Sequence, residues 1–230
     1  IGPAGSNLST ATFVPPPHHA VPDALGDLEK FLHEEDTLPP LVKIALAHVQ
    51  FETIHPFLDG NGRVGRLLIT FLLTERGVLH KPVLYLSHFF REHRQAYYEH
   101  LQAVRDHGAW EAWLAFFLRG VIDVAGEAAE TARRILHLRE QHRASITEQL
   151  GRAAGNGHKV LESLFDRPIV SVHDVQKLIG TTYAAANSLV SRLVKLDVLS
   201  EMTGYARNRR FRYAPYIALF SDTGRGEEAT

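Results

Sequence analysis

His55-Pro56-Phe57-Leu58-Asp59-Gly60-Asn61-Gly62-Arg63-Val64-Gly65-Arg66 is the densest chemical stretch of the chain. It reads as a loop that feeds into a helix. Pro56 ends the preceding helix, because the residue before a proline is pushed out of the α region. Gly60 and Gly62 permit positive φ and leave room for a ligand to approach the backbone. Successive N–H groups at the helix start form an anion-binding nest, and the helix dipole favours negative charge there. Arg63 and Arg66, three residues apart, are neighbours on the first turns and can both reach polyphosphate oxygens. Asp59 offers a hard oxygen suited to a Mg²⁺ shared with phosphates. His55 titrates near neutrality and is the natural general base beside the nest. Asp-Gly-Asn-Gly alone is also an ordinary turn, and Asp or Asn before a helix an ordinary cap. A base, a carboxylate, two glycines and two arginines within twelve residues exceed what a turn requires.

Working outward, residues 1–17 hold a short β-prone run, Ala11-Thr12-Phe13-Val14, stopped by Pro15-Pro16-Pro17. Helical spacing follows in Leu25, Leu28, Phe31 and Leu32, and again from Leu41 to Thr53. Val64 to Leu73 is apolar on nearly every side, which predicts a helix buried in the middle of a bundle. Further helices are predicted over Arg94–Val104 and Trp110–Val124, and a polar, charge-laced connector from Gly126 to Gly151. Beyond it, His158–Phe165, Val170–Ile179 and Tyr183–Leu196 read as helices. Gly180-Thr181-Thr182 is a turn between the last two, and Leu199–Tyr213 is β-prone around Gly204. That order predicts a winged helix-turn-helix.

The segment resembles the signature of the Fic family, His-x-Phe-x-(Asp/Glu)-Gly-Asn-Gly-Arg-x-x-Arg, and every specified position matches. The likeness extends over residues 1–125, including the Phe-Val-Pro-Pro-Pro stretch and the Tyr97-Tyr98 helix. It implies a mainly α fold: a Fic helical bundle with an N-terminal β-hairpin flap over 1–17, then a linker helix over 126–155. A small α+β winged-helix domain would occupy 156–220, and a tail 221–230. Most members move AMP from ATP onto a protein hydroxyl and release pyrophosphate. The resemblance implies that His55 deprotonates a target Ser, Thr or Tyr and that Asp59 holds Mg²⁺ on the α- and β-phosphates. Gly60, Asn61 and Gly62 would line the anion hole, with Arg63 on the phosphates behind it and Arg66 on the γ-phosphate. Phe57 would anchor the loop, and Tyr97 and Tyr98 resemble a pair near the adenine. The β-prone start, near Ile1-Gly2 and Ala11–Val14, resembles a flap whose edge aligns the target peptide by strand addition. Family members often carry an inhibitory (Ser/Thr)-x-x-x-Glu-(Gly/Asn) helix, and no match is present. The chain starts at Ile1 rather than Met, so that helix is expected upstream of this sequence.

Composition bounds the rest. No Cys is present, which excludes disulfides, Cys-ligated zinc and a Cys nucleophile. Nor does any apolar run approach the roughly 20 residues that span a bilayer, and no signal peptide leads the chain. The expectation is a cytoplasmic protein without a membrane partner. The net charge of −1 is a sum of unlike parts. Residues 1–125 hold 10 basic and 14 acidic side chains, whereas 156–220 hold 9 and 5. In the second region Arg192, Lys195, Arg207, Arg209, Arg210 and Arg212 are candidate contacts to DNA phosphates. The same residues suit a solvated face on a protein-docking or homodimer module. The alternatives to an adenylyltransferase are a nucleotide-sensing transcription regulator, or a transferase using UTP, GTP or CDP-choline. The pairs His18-His19, His88 with His93, and His137 with His142 lack the spacing of a metal site.

Overall fold

The computed structural model describes residues 7, 10–34, 38–79, 86–205 and 208–221. It is mainly α and divides into two compact units, residues 1–128 and 129–230. In the first, α1 (Val21–His33), α2 (Pro40–Ile54) and α3 (Asn61–Glu75) precede α4 (Leu86–Glu92), α5 (Arg94–His107) and the start of α6 (Trp110–Leu150).

The central helix is α2. One of its faces packs Ile44, Ala45 and Val49 into an apolar cluster with Ile69, Phe90, Tyr97, Trp113 and Phe117. Another packs Ala47, Phe51 and Ile54 against Leu28 of α1. The Trp113 indole N–H is satisfied inside this core by the Ala45 carbonyl, at 3.0 Å. The helix predicted to be central, Val64 to Leu73, instead lies at the edge of the unit. Only Asn61, Gly65, Ile69 and Leu73 of α3 are buried, and Leu67 and Phe71 are exposed. Apolar residues on every side do not distinguish a central helix from one with an uncovered outer face.

Ala11–Val14 forms no strand, and the three prolines that follow lack the N–H groups a ladder needs. The Ile1-Gly2 part of the expected flap lies outside the described residues.

Within the first unit α6 buries Trp113, Phe117 and Val124; within the second it buries His142, Ile146 and Leu150. Both sets follow helical spacing. The two helices expected over Trp110–Val124 and Gly126–Gly151 are one. Gly126 costs only about 1 kcal/mol against Ala in a helix interior, and no proline breaks the run.

The second unit continues with α7 (Ala154–Asp166), β1 (Ile169–Ser171), α8 (Val172–Ile179), α9 (Tyr183–Lys195), β2 (Ser200–Glu201), β3 (Arg210–Arg212) and α10 (Ala214–Ser221). The sheet is antiparallel in the order β1-β3-β2, with Val170 opposite Phe211. Val170, expected at the start of a helix, is therefore a strand residue. The helix begins two residues later because Ser171 and Asp174 form a capping box. The Asp174 carboxylate accepts from the Ser171 N–H at 2.8 Å, and Ser171 Oγ accepts from the Asp174 N–H at 3.2 Å. The Ser171 hydroxyl, which donates to Asp174 Oδ2 at 2.7 Å, and after it the Ser171 N–H hold the Asp174 carboxyl below its ordinary pKa.

Replacing Ser171 with Ala should cost about 1 kcal/mol, read as a lower urea midpoint with an unchanged m value. An unchanged midpoint would show that the cap contributes nothing.

Candidate active site

The last backbone bond of α2 runs from the His55 N–H to the Phe51 carbonyl, at 3.0 Å. His55 itself adopts a left-handed conformation, φ 50° and ψ 57°. A non-glycine residue there stores strain on the order of 1–3 kcal/mol and persists only where its surroundings over-determine it. His55 Nδ1 is buried and meets no acceptor in good hydrogen-bond geometry among the described residues. Burial is the main influence holding the ring's pKa below its ordinary value. The Glu52 carbonyl opposes that effect, and the Arg105 charge adds to it. Burial thus favours the neutral imidazole, the form that a general base needs.

The loop from Pro56 to Gly60 is pinched by Asn61, whose side chain is buried. Its Oδ1 accepts from the Phe57 N–H at 2.9 Å and its Nδ2 donates to the Phe57 carbonyl at 2.6 Å. The Asn61 side chain is thus committed to loop shape, and what it can offer an anion is its backbone N–H. Gly60 caps α3 at φ 87°, a conformation that favours glycine. Its carbonyl accepts from the N–H groups of Arg63 and Val64, both at 3.0 Å. The N–H groups of Asn61 and Gly62 stand at the helix start without a backbone acceptor among the described residues, as a nest requires.

Both motif arginines fold back over this nest. A Cβ at residue 60 would lie 3.3 Å from Arg63 Nη2, and one at residue 62 would lie 3.1 Å from Arg66 Nη1. Arg63 also reaches Asp59 Oδ2 at 3.3 Å, and Asp59 Oδ1 accepts from the Gly60 N–H at 2.7 Å. The Asp59 side chain is 93% exposed. No group of three metal-binding side chains occurs among the described residues. One accessible carboxylate beside an anion nest nevertheless suits Mg²⁺, which keeps most of its waters and takes the rest of its ligands from substrate phosphates.

Behind the nest lies a polar cluster that the sequence reading missed. His48 Nδ1 meets the Gly65 carbonyl at 3.0 Å, and Nε2 meets the Tyr97 hydroxyl at 2.9 Å. A carbonyl only accepts, so Nδ1 carries the proton and the Tyr97 hydroxyl donates to Nε2. Burial pushes the His48 pKa down to about 4. Glu52 is also buried, with Oε1 unpartnered among the described residues. Burial raises its pKa, and Arg66 and Arg105 pull it back. A Cβ on Gly65 would collide with that oxygen and crowd His48. The available signal was Lys43, His48 and Glu52 on a largely apolar helix, though Gln50 and Thr53 on the same helix are polar without joining the cluster.

Tyr97 and Tyr98, expected as a pair near the adenine, occupy different settings. Tyr97 is buried among Phe90 and Trp113, with its hydroxyl spent on His48. Tyr98 is exposed, with the Arg94 guanidinium 5.8 Å from its ring centroid. In the second unit Arg192 donates to the Gln149 carbonyl at 3.0 Å. Arg209 donates to Asn187 at 2.7 Å and pairs with Glu201. Arg212 bonds Ser200 Oγ at 3.4 Å. Lys195 and Arg210 are exposed, and Arg207 lies outside the described residues. No helix among the described residues is long and apolar enough to cross a membrane.

Residues 4–73 match the Fic/DOC family. A probable protein adenylyltransferase of Aquifex aeolicus is 45% identical over 69 residues, 30% of this chain and 22% of the relative. The protein adenylyltransferase Fic of Nematostella vectensis is 34% identical over 125 residues, 50% of this chain and 27% of the relative. The matched stretches therefore span about a quarter of these relatives' length. The crystal structure of a Fic family protein from Desulfovibrio desulfuricans G20 is similar over 93% of this chain and 58% of that one. Its TM-score is 0.51 at 22% identity, a likeness of fold.

A histidine buried neutral stabilises the fold fully above its unfolded pKa near 6.5, and loses that contribution as pH falls toward 4. Between pH 7 and pH 5, His48 should account for about 2 kcal/mol of lost stability. A His48→Gln variant should show a correspondingly flatter acid limb in urea titrations. An equal slope in both proteins would contradict the assignment.

Proposed function

We propose, from the premise that residues 4–73 are a Fic/DOC family domain, that the chain is a protein adenylyltransferase, moving AMP from Mg-ATP onto a protein hydroxyl. The observation that carries this reading is one short segment. It holds a neutral, strained His55 and, six and seven residues on, two unpaired N–H groups flanked by Arg63 and Arg66. The relatives named as adenylyltransferases supply the reaction class.

In this reading the nest and both guanidinium groups bind the polyphosphate and orient the α-phosphorus. Asp59 is the residue that would hold Mg²⁺, which when bound neutralises phosphate charge. The target's hydroxyl oxygen bonds to the α-phosphorus, the bond from that phosphorus to the bridging oxygen breaks, and pyrophosphate leaves. His55 Nε2 takes the hydroxyl proton. Little covalent help is needed; positioning and charge stabilisation dominate such transfers. The Cys-free chain suits a reaction whose nucleophile belongs to the target. Ser, Thr and Tyr hydroxyls all fit this chemistry, the chain's own included.

With α-labelled ATP and Mg²⁺, label should appear on the chain itself or on proteins of a lysate. His55→Ala should lower it by about 10²–10⁴-fold, the span of a lost general base. Asp59→Asn should raise the Mg²⁺ requirement, and Arg66→Ala the KM for ATP. Label that persists in His55→Ala would overturn the reading. ATP binding without transfer would favour a nucleotide-sensing regulator.

A further inference from the structure

Arg105 lies on α5, outside the signature segment, and yet converges on the base. Its Nη2 donates to the Glu52 carbonyl at 3.0 Å, and its Nε donates to Thr53 Oγ1 at 3.3 Å. The face of the same guanidinium lies 3.8 Å from the Phe13 ring centroid. Phe13 in turn meets the His55 ring edge-on, with centroids 6.5 Å apart and planes at 71°. One planar cation thus touches both Phe13 and the last turn of α2, and the same Phe13 meets the ring of His55.

We propose that Arg105 is a positioning residue for His55: it caps the end of α2 and clamps Phe13 against the imidazole, holding the ring in one orientation. The inference rests on the transferase reading, in which His55 is the base.

Three physical points carry it. The last carbonyls of a helix lack intrahelical donors, and a cation at that end also opposes the negative pole of the helix dipole. Arg105 supplies both to α2 one turn before His55. The left-handed backbone at His55 needs restraint from its surroundings, and Phe13 with Arg105 behind it supplies that restraint from a second side. Finally, the contacts use the whole guanidinium, its fork for two hydrogen bonds and its face for the ring. An ammonium provides no such combination.

The test compares the full chain with Arg105→Met, Arg105→Lys and Phe13→Leu, in AMP transfer with ATP varied and in aromatic NOE spectra. Arg105→Met should lower kcat on the order of 10²-fold, the cost of a misplaced reacting group, with the KM for ATP within about twofold, since the nest is untouched. Arg105→Lys should recover less than a tenth of that loss. Phe13→Leu, which leaves the α2 cap in place, should lower kcat several-fold with the same KM and carries the test if Arg105→Met does not fold. The NOE between the Phe13 and His55 rings should be present in the parent chain and lost in Arg105→Met. A kcat within twofold of the parent in Arg105→Met or Phe13→Leu would overturn the proposal, as would full recovery by lysine. If the parent chain transfers no AMP, the transferase reading fails. The positioning claim is then judged by the NOE alone, whose persistence in Arg105→Met would overturn it.

Discussion

The close approach of α2 and α3 at Gly65 is the constraint on which the site depends. There is no room for a side chain at that position, because the Glu52 carboxylate and the His48 ring occupy it. His48 then ties the Gly65 carbonyl to the Tyr97 hydroxyl, joining α3 to α2 and α5 in one buried chain of hydrogen bonds. Since α2 ends at His55 and α3 begins with the nest, this contact sets where His55 stands relative to the N–H groups of Asn61 and Gly62. Buried polar networks that are well satisfied specify one arrangement of the elements around them, and here the arrangement specified is the active site. The apolar clusters on either side of α2 provide the burial; the histidine provides the register.

The twelve-residue segment divides by physical role. Asn61 faces inward and ties the loop to itself through Phe57, and Gly60 supplies the left-handed turn that starts α3. Asp59, Arg63 and the rim of the loop face outward, where a charged substrate can reach them. His55 is half-buried, with its Nδ1 sealed from solvent. The inward residues make the cradle, and the outward ones are free to meet a substrate in the proposed transfer.

Much of this was legible in the sequence, for identifiable reasons. Pro56 marks the end of one helix, and Gly60 the turn that starts the next. The alternation of apolar and polar residues located α1, α2, α5 and α9. Periodicity reports which residues prefer burial but not which helix becomes central, so α3 read as the buried one while α2 takes that place. The strand β1 is three residues long and exists through its pairing with β3, a partner far along the chain. Local spacing therefore made Val170 helical. The buried setting of Tyr97 and the contacts of Arg105 were not legible for a related reason. An adjacent tyrosine pair and a lone arginine on an amphipathic helix look alike whether they face a ligand, a core or a neighbouring helix terminus. Their roles come from α2 and the residues around Phe13, which no local window contains.

The most direct measurement of the central claim is the fate of the two ends of ATP. Incubating the chain and Mg²⁺ with ATP labelled at both the α- and γ-phosphorus, in the presence of lysate protein, should leave the α label on protein. The γ label should be recovered as pyrophosphate in equal amount. Transfer of the γ label to protein, or release of inorganic phosphate without protein label, would contradict the account.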